Sequence, residues 1–262
     1  NGSQARYGLL IFQALSTGIG GFIVPVLVWL FFVESKSKNE VFDTKFTSFN
    51  PLIALAVFAF VLVFMPFNSI LIHLNSMLDL PDSFSSLEKS MKDLESSAEN
   101  TTSFLTDFED FNQFLFGFFV ISLLTGFGEE FFFRRGIQKK LQDSGYNIHF
   151  SIWITATVFS FVHFQFYGFL PRLVLGALFG YIYFWTQNLT YPILAHITNN
   201  GFTLALIHVQ KLSGDPVDFS DKEMAPWYWV LLSLIGSFAL AFLIKKSGMN
   251  PKKNNDETRN QD

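Results

Sequence analysis

The sequence predicts an all-α fold, a polytopic bundle of about seven transmembrane helices, and three observations carry that prediction. Half of the 262 residues are apolar and 35 are Phe. The mean hydropathy is +0.32, more apolar than an ordinary soluble domain whose polar surface must face water. Apolar runs of about 20 residues recur along the chain, the length a helix needs to cross roughly 30 Å of hydrocarbon, and a helix satisfies its own backbone groups where water cannot.

Taken in order, the predicted spans are 8–33, 51–75, 111–133, 148–167, 169–187, 190–210 and 225–245. Residue 1 is Asn, and the first apolar run is too long for the core of a signal peptide, so it reads as a retained span. Between the second and third spans, 75–110 carries Leu, Met and Phe at loose helical spacing among charges, which predicts an amphipathic helix outside the membrane core. Pro171 and Pro192 fall at the starts of spans, where a missing N–H is harmless. Gly176 and Gly180 make a small-residue ridge for close helix packing. The last residues are too polar to bury enough surface and read as disordered. The division is therefore 1–110, two spans with the polar segment; 111–245, the membrane domain with the chemistry; and 246–262, a disordered cytoplasmic tail.

Cysteine is absent, which excludes disulfides, thiol catalysis and cysteine-bound metal. The net charge of −4 hides an acidic 75–110 segment and a basic tail, and no basic stripe suggests nucleic acid. Twelve of the 18 Lys and Arg fall on one set of flanks, from Lys36, Lys38 and Lys45 through Arg134, Arg135, Lys139 and Lys140 to Lys245, Lys246, Lys252, Lys253 and Arg259. Positive flanks stay in the cytoplasm. That places the N-terminus and 75–110 outside and the end of the third span, with Glu129 and Glu130, on the cytoplasmic side, from which a cavity would open.

Three polar clusters interrupt the apolar segments, and charge is costly enough there to mark function. In GEEFFFRRGIQKKL, Glu130 and Arg134 are four apart and can pair on one helix face. Glu129 points about 100° away and stays free. A carboxylate unpaired in apolar surroundings can serve as a general base near neutral pH, whereas one beside Arg stays ionised. His163 lies among aromatics in FSFVHFQF, where a hydrogen-bonded core histidine is the ordinary alternative. If the third and fourth spans form a hairpin turning near 144–148, His163 and Glu129 lie at similar depth. In YPILAHITNNGF, His196 and Asn200 share a face, and two donors so placed suit an oxyanion or a substrate carbonyl; the ordinary alternative is interhelical hydrogen bonding. Three such clusters together favour one shared site.

These residues resemble a known pattern: EExxxR at Glu129, Glu130 and Arg134, FxxxH at Phe159 and His163, and HxxxN at His196 and Asn200. The region 111–210 resembles the CAAX protease and bacteriocin-processing family (CPBP, or Abi), intramembrane proteases related to eukaryotic CAAX prenyl endopeptidases. One departure is Arg135, which intervenes where many members have Gly directly after the motif arginine. The resemblance implies a hydrolase in which Glu129 and His163 activate water, His196 and Asn200 steady the oxyanion, and Glu130 and Arg134 support them. No cofactor is expected. Zinc held by two His and a Glu is the alternative, disfavoured because each helix carries a single motif His and no HExxH occurs. The expected partners are a membrane-associated peptide or protein substrate and the lipid bilayer. The character of the match suggests a multi-pass protein of a bacterial cytoplasmic membrane. A non-enzymatic bacteriocin-immunity or scaffold protein is the competing reading; a transporter would call for an inverted repeat, and none is evident.

Overall fold

The computed structural model describes residues 2–34, 49–214 and 223–249. Eight helices are found among them: α1 (Gly2–Val33), α2 (Pro51–Ser76), α3 (Ser85–Thr106), α4 (Phe111–Asp143), α5 (Ile148–Phe161), α6 (Phe169–Thr186), α7 (Thr190–Leu212) and α8 (Trp227–Gly248). The all-α bundle is thus as expected, and no strand occurs among the described residues. Five helices, α1, α2, α4, α6 and α8, are long and apolar enough to cross a membrane. α5 is apolar but has only 14 residues. α7 has 23 but interrupts its apolar run with His196, Asn199, Asn200 and His208. Most of the predicted tail, 250–262, lies outside the described residues, as do Lys36, Lys38 and Lys45.

Local chemistry explains the ends. Asn50 caps α2, its side-chain oxygen accepting from the N–H of Leu52 at 2.9 Å, and Pro51 follows at the first helical position. Pro66 interrupts the α2 ladder, and Ser233 of α8 fills the gap by donating to the Val63 carbonyl at 2.6 Å and accepting from the Phe67 N–H at 3.0 Å. Asp110 caps α4 through the N–H of Gln113 at 2.9 Å.

Two expected boundaries are corrected. The third predicted span ended at 133, but the helix runs unbroken to Asp143, so Glu129 sits near its middle and not at its inner end. The fourth was predicted over 148–167, but α5 stops at Phe161, where Phe164 adopts a left-handed conformation (φ 53°) and Ser160 Oγ donates to the Phe169 carbonyl at 2.7 Å. His163 therefore lies in the turn after α5, not within a helix. α4 also widens into π-type turns over 118–124 and 131–138, on either side of the motif glutamates. Such turns re-aim side chains and often mark functional sites.

The bundle has two distinct ends. At one, Lys140 pairs with Glu34 at 2.8 Å, the Asn50 N–H donates to Tyr191 at 2.8 Å, and Gly248 packs against Trp185. At the other, buried Arg6 of α1 donates to the Phe104 carbonyl at 2.8 Å and to Gln113 at 2.7 Å, and pairs with Asp107 at 3.0 Å. There Asn75 bridges the Phe166 carbonyl and the Leu170 N–H, pinning the turn that follows His163. α3, the predicted amphipathic helix, lies across this second end, with only Leu105 and Thr106 buried.

Candidate active site

α4 places its two glutamates, Glu129 and Glu130, in opposite surroundings. Glu130 is fully buried, and so is its partner Arg134, whose Nε donates to Glu130 Oε2 at 2.6 Å. The other oxygen, Oε1, lies 2.9 Å from His196 Nδ1. A carboxylate oxygen accepts, so the proton sits on Nδ1 of His196 and Nε2 is turned the other way. That Nε2 is 3.7 Å from Glu129 Oε2, too far for a hydrogen bond. Glu129 Oε2 is buried and has no hydrogen-bond partner among the described residues.

Glu129, His163, His196 and Asn200 line one cavity of about 400 Å³, a size that suits a few residues of a peptide. The His163 Nδ1 lies 2.7 Å from the Phe159 carbonyl. A carbonyl only accepts, so in the neutral ring the proton is on Nδ1 and the lone pair on Nε2. Phe159 stands between the histidines, its ring edge-on to both. Asn200 donates to the Ile121 carbonyl at 3.1 Å and accepts from Asn199 at 3.1 Å. One N–H of its amide is left uncommitted by these bonds.

Close helix approach makes the arrangement possible. A Cβ at Gly126 would stand 3.0 Å from Ile197 Cγ1 and 3.3 Å from the Ile197 nitrogen. Only glycine lets α4 come near enough to α7 for Glu130 to reach His196. On α6, Gly176 fits against Phe159 and Ala156 of α5, and a Cβ at Gly180 would press on Gln138.

Four residues of this region were not singled out from the sequence. Gln138 extends the buried row of Glu130 and Arg134 by another four residues, donating to the Gly180 carbonyl at 3.1 Å and accepting from Arg134 at 3.5 Å. The stride of four was visible in the sequence. Asn199, Gln165 and Arg172 line the cavity, and Arg172 donates to both the side chain and the carbonyl of Gln165. Nothing in their spacing pointed to the site.

The cavity lies toward one end of the bundle. Thr102 of α3 and Gln165 of the turn after α5 are among its lining residues, at the end opposite Lys139, Lys140, Lys245 and Lys246. Among the described residues no three His, Cys, Asp or Glu side chains converge as ligands for a metal ion. The residues do not fit a zinc site, and no step is routed through one.

Fold and composition define the class: an integral membrane protein built as a polytopic helix bundle. Residues 111–202, which carry all three motifs, match the family model described as type II CAAX prenyl endopeptidase Rce1-like. No curated protein and no solved structure matches the chain.

Proposed function

We propose that the protein is an intramembrane endopeptidase that hydrolyses a peptide bond of a membrane-associated peptide or protein. One observation carries the reading: of two adjacent buried glutamates, one is locked by Arg134 and His196, and the other has an oxygen without a hydrogen-bond partner and lines a cavity shared with His163. Glu129 takes a proton from a water held between it and Nε2 of His163. The water oxygen bonds to the scissile carbonyl carbon. Negative charge then gathers on the carbonyl oxygen, where the free amide N–H of Asn200 and Nε2–H of a protonated His196 donate to it. On collapse the C–N bond breaks, and Glu129 returns its proton to the leaving amine. Glu130 and Arg134 take no proton; they fix the ring of His196.

Residues 111–245 are the catalytic membrane domain in this reading, and 1–110 supply two spans and the helix α3. The bilayer of a bacterial cytoplasmic membrane is its setting, with a membrane-associated peptide or protein as its partner. Abi-type roles such as bacteriocin processing are compatible with it. The test is cleavage of a fluorogenic panel of lipid-modified and transmembrane peptides by detergent-purified protein. Wild type is expected to cleave, Glu129→Gln and His163→Ala to fail while folded, and a zinc chelator to have no effect. A chelator that abolishes cleavage would restore metal chemistry. Equal cleavage by wild type and Glu129→Gln would remove the glutamate mechanism.

A further inference from the structure

The cavity and the basic residues occupy opposite ends of the bundle. On α4 the lining residues Ile121, Thr125 and Glu129 all precede the Glu130–Arg134 pair, and on α7 they are His196, Asn199 and Asn200. α4 and α7 run in opposite directions, so both sets step toward the same end, where α3 lies. In the other direction the interior is filled by Arg134, Phe133 and Gln138, all fully buried. A peptide has no path to Glu129 from that side.

Charge separates the same two ends. Arg135, Lys139, Lys140, Lys245 and Lys246 cluster at the closed end, and the connection between α1 and α2 adds Lys36, Lys38 and Lys45 in sequence. At the open end Arg6 is buried, Arg172 lines the cavity and Lys211 pairs with Asp107. That leaves Lys89 and Lys92 of α3, with Lys222 in the connection before α8. Lys and Arg in short flanks are retained in the cytoplasm, so the closed end is the cytoplasmic one.

We infer that the cavity opens on the non-cytoplasmic side of the membrane, and that its substrate is a peptide segment presented from that side, either released there or anchored in the outer leaflet. The substrate half rests on the protease reading; the direction of opening does not. The polar lining at this end, with Gln13, Thr17, Thr102 and Gln165 and with Arg172 bonded to Gln165, fits an extended peptide backbone, which needs donors and acceptors along its length. A substrate held by its own cytoplasmic domain cannot reach it.

Because the chain has no cysteine, single substitutions give a clean readout. Ser86→Cys on α3 and Gln165→Cys in the cavity lining report the open end; Ser144→Cys, in the turn between α4 and α5, reports the closed one. With the protein in a bacterial inner membrane, spheroplasts are treated with a membrane-impermeant maleimide before and after lysis. The expected result is labelling of Ser86→Cys and Gln165→Cys in intact spheroplasts and of Ser144→Cys only after lysis. The reverse pattern overturns the inference. If Gln165→Cys does not accumulate, Ser86→Cys decides alone, because α3 contributes Thr102 to the lining. A second arm supplies an impermeant fluorogenic peptide to intact spheroplasts. Cleavage that Glu129→Gln abolishes supports the substrate half, and cleavage seen only after lysis overturns it. Should no peptide be cut on either side, the protease reading fails and the labelling still settles the direction of opening.

Discussion

Two faces of one helix, α4, stand in opposite surroundings. The cavity face of α4 presents Ile121, Thr125 and Glu129, and Oε2 of Glu129 has no hydrogen-bond partner among the described residues. The buried face presents Glu130, Arg134 and Gln138, tied to one another, to His196 and to the Gly180 carbonyl. Adjacent glutamates of identical chemistry thus differ in what surrounds them. A carboxylate that is fully paired is structural, and one left without a partner is available for reaction. The comparison predicts that activity and stability respond to different substitutions.

The largest effect belongs to the cavity face. Glu129→Gln keeps shape and volume and strands no partner, so the unfolding midpoint in detergent is expected to stay where it is. The turnover number for peptide cleavage should fall by about 10²–10⁴, the range for loss of a general base. A Gln variant that retains activity, or that unfolds, would break the contrast. Next comes Glu130→Ala. It leaves Arg134 buried with no counter-charge and releases His196, a loss of about 3–5 kcal/mol for one half of a buried pair. Thermal unfolding in detergent should register it directly. Restoring the carboxylate as Asp, which is one methylene shorter, should recover part of the stability and little of the activity.

Gly126→Ala probes the contact between the faces. The added methyl meets Ile197 at 3.0 Å in a helix crossing with no slack. Overpacking of this kind costs about 1–3 kcal/mol. Because α7 must shift to accommodate it, His196 moves away from Glu130, and cleavage should fall along with the midpoint. A stable variant with normal cleavage would show that α7 adapts without disturbing the histidine.

What could be read in advance was whatever a single helix fixes. The i, i+4 spacing placed Glu130 beside Arg134 and left Glu129 off that face, and apolar length placed the five long spans. Three features lay beyond such reading. The bond from Glu130 to His196 joins residues 66 apart, and no local rule reaches it. α5 ends at a Phe in the left-handed region, where glycine would have been the signal. The opening of the cavity depends on which end the packed helices fill. Only the packing of Phe133, Arg134 and Gln138 shows which end is filled.

The smallest effect tests how far the buried face extends. Gln138 bonds Arg134 at 3.5 Å, at the limit of a hydrogen bond, and the Gly180 carbonyl at 3.1 Å. Gln138→Met nearly preserves volume and removes both bonds. The Gly180 carbonyl also lies within the α6 ladder, and Arg134 keeps its pair with Glu130, so no charge is stranded. A loss of about 1 kcal/mol is expected, the net value of a typical hydrogen bond, with cleavage unchanged. If cleavage falls as well, the row of Glu130, Arg134 and Gln138 acts as one unit behind His196, and the division between the two faces begins one turn further along α4.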